Sequence, residues 1–336
     1  MPKRIIKFST SRVSYFTDSS FSDLRNIVDR KNAIIITDEN VFSAHQKQFR
    51  NWNTIVLKAG EAFKVQATVD SVIEQMIEMQ ADRQTTLVGA GGGVITDLTG
   101  YIASIFMRGI SFGFIPTSLL AMVDASIGGK NGIDVGDYKN MVGVIRQPSF
   151  ILQDTRMMAT LPDKEWRNGF AEIIKHASIR DAVMFRDLEE NGMDIYKKRR
   201  SLLSSLVSRN MMLKTRIVQR DEFEKDERRK LNFGHTLGHA LETQYELSHG
   251  EAISIGMTFA GSLSQQLLGF RHQDKLTSLL EKYQLPTHAA FDRDKVIQVL
   301  KMDKKKAGGL IHFILLEKIG RASILPLNVE QIYQAL

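Results

Sequence analysis

Along its first 160 residues the chain alternates short apolar runs with amphipathic stretches. Ala33-Ile34-Ile35-Ile36-Thr37 and Thr54-Ile55-Val56-Leu57 are β-branched runs, closed by Asp38-Glu39-Asn40 and Lys58-Ala59-Gly60-Glu61, and they predict strands. The polar–apolar alternation of residues 1–8 predicts another. Residues 41–49 suit a helix. Over residues 65–80 apolar side chains recur at three and four (Val69, Val72, Ile73, Met76, Ile77), which predicts an amphipathic helix. Thr85-Thr86-Leu87-Val88 reads as a strand running into Gly89-Ala90-Gly91-Gly92-Gly93, and a helical pattern fills residues 94–106. Further apolar runs cover 110–116 and 150–154. Strands alternating with helices predict βαβ units and a parallel sheet, whose ligands gather at the carboxyl ends of the strands.

The texture changes after residue 160. Long helical periodicities cover 164–179, 201–220, 235–245, 251–268 and 273–283. Only 309–325 looks like strand, as two runs (311–316 and 322–325) joined at Lys318-Ile319-Gly320 in a hairpin. The expected organisation is an α/β nucleotide-binding domain over residues 1–160 and a mainly α-helical domain over 161–336. Neither an internal repeat nor a low-complexity tract interrupts it.

Composition narrows the choice. With 336 residues, 43% apolar and 25% charged, the chain can bury a sizeable core. No stretch approaches the ~18 apolar residues of a membrane span, and the N-terminus does not read as a signal peptide. The absence of cysteine excludes disulfides and thiolate metal sites and fits the cytoplasm. A net charge of +7 raises nucleic-acid binding as a possibility. However, the cations are scattered among 38 acids, and the tight runs are Lys197-Lys198-Arg199-Arg200 and Lys304-Lys305-Lys306. An enzyme that binds small phosphorylated anions accounts for the charge without a nucleic acid.

Four stretches carry chemistry. Gly89-Ala90-Gly91-Gly92-Gly93-Val94 closes a strand and opens a helix, where bare backbone and a helix N-terminus suit a pyrophosphate; a tight turn is the plainer reading. The block from Pro116 to Lys130 runs from hydroxyls (Thr117, Ser118) through Asp124 to a Gly-Gly-Lys turn, with Lys139 and Asn140 nine and ten residues on. Its hydroxyls suit phosphate or ribose and its lysines suit substrate anions, unless it is a solvated loop. Gly169-Phe170-Ala171-Glu172-Ile173-Ile174-Lys175-His176 sits on a helix with Glu172, Lys175 and His176 grouped at i, i+3 and i+4. Finally, Asn232-Phe233-Gly234-His235-Thr236-Leu237-Gly238-His239, followed by His249-Gly250-Glu251, brings His235 and His239 onto one helical face. Two or three converging imidazoles point to a nitrogen–oxygen metal site, zinc by default, to which Glu172 is a candidate oxygen ligand. A surface Glu172–Lys175 pair and ordinary histidines are the alternative.

Taken in order, these stretches resemble 3-dehydroquinate synthase, the shikimate-pathway cyclase family, over nearly the whole chain. The resemblance rests on Gly91-Gly92-Gly93-Val94-Ile95-Thr96-Asp97-Leu98, Met107-Arg108-Gly109, the block from Pro116 to Lys130, Lys139-Asn140, Ala171-Glu172-Ile173-Ile174-Lys175, the Asn232 to His239 segment, His249-Gly250-Glu251-Ala252 and Asp303-Lys304-Lys305. It implies a Rossmann-like NAD domain with a helical metal-binding domain, the active site lying between them, in a homodimer. The implied zinc or cobalt ligands are Glu172, His235 and His249. Implied NAD contacts are Asp38, Asn40, Glu61, Lys64, Gly92, Gly93, Val94, Asp97, Thr117, Ser118, Lys130, Lys139 and Thr160. Implied substrate contacts are Asp124, Lys130, Asn140, Lys175, Lys214, Arg228, Asn232 and His239, one of Lys304 and Lys305, and Arg108 reaching from a second subunit. The implied reaction converts 3-deoxy-D-arabino-heptulosonate 7-phosphate to 3-dehydroquinate and phosphate, with NAD returned oxidised. Thr96 stands where many members have glycine and Ser118 where many have threonine. The short interval from His235 to His249 keeps His239 and His176 as alternative ligands. Another sugar-phosphate cyclase and a metal-dependent polyol dehydrogenase are the neighbouring readings.

Overall fold

The β-branched runs of the first part become the strands of one seven-stranded sheet. The computed structural model describes residues 2–136, 138–304 and 310–336, with the backbone alone for 301–304. The chain forms two units: residues 1–165 with 200–223, and residues 166–199 with 224–336.

In the first unit the strands are β1 (Lys3–Lys7), β2 (Arg12–Phe16), β3 (Ala33–Asp38), β4 (Asn53–Leu57), β5 (Thr86–Gly91), β6 (Ser111–Pro116), β7 (Lys130–Val135), β8 (Tyr138–Ile145) and β9 (Phe150–Leu152). The sheet order is β1-β2-β9-β6-β5-β3-β4; only β1 runs antiparallel to its neighbour. Helices α1 (Glu39–Phe49), α2 (Gln66–Glu78) and α3 (Gly93–Ile105) connect the strands. Strands covered on both faces are apolar at every position, and the period of two then divides their side chains. Ile34 and Ile36 enter one core with Ile95, Leu98 and Phe114; Ile35 enters the other with Phe49, Val88 and Ile115. The chain leaves β3 for β4 on one side and returns to β5 on the other. The β3/β5 pair is therefore the switch point of the sheet, where open α/β sheets bind ligands.

Three features of this unit depart from the sequence-based expectation, the first being β2, a strand not marked in the sequence. The segment around residues 132–139, expected as a loop, is a hairpin: β7 and β8 pair antiparallel with Asn131 opposite Val144. Its second strand is exposed along most of its length, so it lacks the half-buried alternation that marks a strand. The helix Arg200–Arg220, expected with the helical domain, belongs to this unit, because Met211 and Val218 are buried in the same apolar cluster as Ile95 and Phe114.

In the second unit are α4 (Asp163–Arg180, from Trp166 on), α5 (Ala182–Glu190) and α6 (Met193–Lys198); counting Arg200–Arg220 as α7, then α8 (His235–Gln244), α9 (His249–Leu268), α10 (Gln273–Lys282), α11 (Arg293–Lys304) and α12 (Val329–Ala335). The expected hairpin forms from β10 (Ile311–Lys318) and β11 (Arg321–Leu327). An aromatic cluster anchors α4: the Phe170 ring lies 4.6 Å from Tyr283 and 5.6 Å from Tyr196. Helices α8 and α9 meet at glycines. Gly234, at φ +81°, caps α8, and a Cβ on Gly256 of α9 would lie 1.9 Å from the Gly234 carbonyl oxygen. Among the described residues no helix is long and apolar enough to cross a membrane.

Candidate active site

In the first unit, register brings the expected cofactor residues to neighbouring strand ends. Ile36 pairs with Gly89, so two residues on Asp38 and Gly91 end adjacent strands, and Gly91 pairs with Pro116 of the next. Asp38 accepts hydrogen bonds from the Asn40 and Val41 amides at 3.0 Å and caps α1, while Asn40 is exposed in its first turn. Burial, against the pull of these amides, raises the Asp38 pKa. Gly92 caps α3 without any side-chain hydrogen bond, so the N-terminal amides of this 13-residue helix face outward unclaimed by a cap. A Cβ at Gly92 would find Ser118 Oγ at 3.6 Å and nothing nearer, which leaves space beside the backbone. Gly93 and Val94 form the first turn; Thr117 and Ser118 are buried beyond β6, Thr117 donating its amide to the Gly91 carbonyl at 2.9 Å.

Lys64 centres a polar cluster. Its ammonium lies 2.7 Å from Asp97 Oδ2 and 3.5 Å from Glu61 Oε1, and donates to Asn140 Oδ1 at 2.6 Å. Burial raises the Asp97 pKa to about 6 even though Lys64 pulls it down. Burial would lower Lys64, but Asp97 and Glu61 outweigh it and hold the ammonium charged. Asp134, which sequence reasoning passed over, accepts the Asn140 amide at 2.7 Å and fixes that residue at φ +55°. Lys214 reaches Asp124 twice, at Oδ1 (2.7 Å) and at the carbonyl (2.9 Å). Lys130 and Lys139 are exposed on the hairpin, and Thr160 Oγ1 lies 3.3 Å from His45 Nε2. Arg108 stands exposed in a turn where Met107, Arg108 and Gly109 all have positive φ.

In the second unit the metal-ligand candidates converge. Glu172 is fully buried on α4, its Oε1 lying 3.1 Å from His249 Nε2 and 3.6 Å from His235 Nε2, and its Oε2 paired with the buried Lys175 ammonium. A tetrahedral ion with bonds of ~2.1 Å separates its donors by about 3.4 Å, so this trio has the spacing of a metal site. Each remaining imidazole nitrogen has an acceptor: His235 Nδ1 lies 3.2 Å from the Phe233 carbonyl and His249 Nδ1 lies 3.4 Å from Glu242. Burial, with the Lys175 charge behind it, depresses the His235 pKa well below the usual range and leaves a neutral ring suited to coordination. Burial would also lower His249, but hydrogen bonds to Glu172 and Glu242 prevail and raise it to about 10.

His239 is exposed one turn along α8, its ring 5.0 Å from that of His235, while His176 is buried on α4 outside the trio. Arg228 is buried, and Asn232 Nδ2 donates to Glu224 Oε1 at 2.8 Å. Glu224, at φ +57°, carried no sequence signal; Glu242, seven residues beyond His235 on one face, was open to helical periodicity. Lys304 ends α11 with its side chain outside the described residues, as is the whole of Lys305.

Two family descriptions match in tandem: 3-dehydroquinate synthase N-terminal over residues 54–168 and 3-dehydroquinate synthase C-terminal over residues 169–306. The chain belongs to the 3-dehydroquinate synthase family. A 3-dehydroquinate synthase of Nitrosospira multiformis is 36% identical over 311 residues, covering 88% of this chain and 85% of that protein. Among solved structures, the NAD+- and Zn2+-bound 2-epi-5-epi-valiolone synthase of Streptomyces hygroscopicus superposes with a TM-score of 0.88 at 27% identity, over 98% of this chain and 96% of its own. A 2-deoxy-scyllo-inosose synthase, at 24% identity and a TM-score of 0.86 over 99% of both chains, shares the fold. The activity that membership in the 3-dehydroquinate synthase family brings is a phosphate-eliminating lyase reaction of the shikimate pathway.

Proposed function

We propose that this chain converts 3-deoxy-D-arabino-heptulosonate 7-phosphate to 3-dehydroquinate with NAD in the glycine-lined cradle of the first unit and zinc or cobalt on Glu172, His235 and His249. The observation that carries the reading is the 3.1 and 3.6 Å spacing of the two imidazole nitrogens from one buried carboxylate oxygen. For NAD the support is the uncapped α3 N-terminus beside Gly92, at the switch point of the sheet. NAD supplies reversible hydride transfer and the metal polarises a substrate hydroxyl and its ketone.

The chain supplies the rest. Asp38 at the end of β3 and Asn40 in the first turn of α1 take ribose hydroxyls. Gly93, Val94, Thr117 and Ser118 take the pyrophosphate. Glu61, Lys64, Asp97, Lys139 and Thr160 border the remainder of the cofactor. Lys130, Asn140, Lys175, Lys214, Arg228, Asn232 and His239, with one of Lys304 and Lys305, hold the carboxylate, phosphate and hydroxyls, and Asp124 fixes the Lys214 ammonium. Several cations are needed because one substrate must stay oriented through oxidation, phosphate loss, re-reduction and intramolecular aldol closure. Once the neighbouring carbon is a ketone the proton beside it is acidic, and the departing phosphate can accept it.

The enzyme is read as a cytoplasmic homodimer, with Arg108 serving the partner's substrate. Support for the dimer is the exposure of Arg108 in the same turn as the exposed apolar side chains of Ile105 and Met107, with Met141 and Val142 also exposed on the hairpin. The deciding experiment supplies purified protein with Zn2+ or Co2+, NAD and the heptulosonate phosphate. Phosphate should be released without net NADH. Stoichiometric NADH would indicate a polyol dehydrogenase instead, and no phosphate release would end the assignment. Glu172→Ala and His235→Ala should each abolish metal retention.

A further inference from the structure

The two histidines of the metal trio are held by unlike groups. His235 opens α8 and turns its Nδ1 to a backbone carbonyl, that of Phe233 at 3.2 Å. His249 opens α9 and turns its Nδ1 to a carboxylate, Glu242 Oε2 at 3.4 Å, with Nε2 facing Glu172 at 3.1 Å. Glu242 is seven residues beyond His235, so both lie on one face of α8. Its side chain is only 12% exposed, and that of His249 is 28% exposed. A carboxylate at this depth is costly to bury without a purpose, and a surface ion pair would leave both groups in water. Nothing in the reaction needs Glu242 to touch the substrate.

We propose that Glu242 is the positioning residue of His249: its carboxylate accepts the Nδ1 proton, sets the ring angle and leaves the Nε2 lone pair aimed at the ion beside Glu172. The inference rests on Glu172, His235 and His249 forming the metal site. A histidine that ligates through one nitrogen and donates through the other loses both its tautomer and its orientation when the acceptor is removed. His235 is insulated from such a loss, because no side-chain substitution removes its backbone acceptor. The capping box of Ser248 and Glu251 fixes the backbone at His249 independently of Glu242.

The test measures Co2+ and Zn2+ affinity of the full chain by chelator competition, with the visible Co2+ spectrum as a second signature and the metal-free melting temperature as a check on folding. Glu242→Ala should weaken binding by roughly 10- to 100-fold and shift the Co2+ bands. Glu242→Gln, which keeps an acceptor oxygen in place, should recover most of the loss. Unchanged affinity in Glu242→Ala, while Glu172→Ala and His249→Ala lose the ion, would overturn the proposal and leave the metal site standing. Equal losses in Glu242→Gln and Glu242→Ala would also overturn it, since the hydrogen bond would then not be the cause. Retained affinity in Glu172→Ala and His249→Ala would remove the metal site and the proposal together.

Discussion

Gly256→Ala tests whether the backbone contact between α8 and α9 sets the metal geometry. The added Cβ would lie 1.9 Å from the Gly234 carbonyl oxygen and 3.0 Å from the Gly238 nitrogen, whereas side-chain Cβ atoms essentially never approach within 3.0 Å. Both obstacles are backbone, so no rotamer change relieves them, and the helices must part locally by at least about 1 Å. Overpacking of this kind costs about 1–3 kcal/mol, and roughly 2–4 °C of melting temperature accompanies each kcal/mol in a domain of this size. The site should suffer more than the fold. His235 directly follows Gly234 and His249 opens α9, so a 1 Å separation moves one proposed ligand against the other, while metal donors tolerate only ~0.2 Å. Calorimetry and Co2+ titration of the same protein separate the two effects, with Gly192→Ala as control because its nearest neighbour would be 4.0 Å away. Wild-type melting and affinity in Gly256→Ala would refute the close contact. A lower melting temperature with unchanged affinity would refute its link to the ligands.

Further outcomes follow from the buried charges and the proposed dimer. Lys175→Met takes from the fully buried Glu172 one of two cationic neighbours, the other being His249 with its raised pKa, and without metal should cost less than the roughly 3–5 kcal/mol of an unpaired buried charge; saturating Zn2+ should close much of that gap in thermal melts, and an equal gap with and without Zn2+ would contradict it. Asp97 carries a pKa of about 6 in the folded chain against 3.8 when unperturbed, so its contribution to stability is full below pH 4 and lost as pH rises to about 6. Asp97→Asn should therefore gain on the unmodified chain across that window, by at most ~3 kcal/mol in urea melts, and a parallel pH profile would count against the shift. Mixing inactive Arg108→Ala and Lys214→Met subunits should restore up to about a quarter of the activity if Arg108 serves the partner's site, since hybrid dimers regain one intact site of two. No recovery after verified subunit exchange would place Arg108 in its own subunit's site or outside it.

The pieces of this protein and their chemistry are legible in the sequence. The periods of two and of three-to-four marked nearly every strand of the sheet and the long helices, because burial of one or both faces imposes those periods locally. Motif order identified the family, since the glycine turn, the Asp124 block, the Glu172 helix and the histidine helix each need particular residue types at fixed spacing. The hairpin β7–β8 escaped notice because an exposed strand carries no apolar signal, and the place of the Arg200–Arg220 helix escaped because a helix pattern states which face is apolar and not what covers it. Glu172 was already a candidate partner of His235 and His249 in the sequence, 63 residues or more away; what only the tertiary structure decided is its Oε1 at 3.6 and 3.1 Å from their Nε2 atoms and the identity of the groups that stand behind them. Those choices depend on helices approaching at Gly234 and Gly256, and on sheet register setting Asp38 beside Gly91. Both are long-range packing relations that no local period encodes.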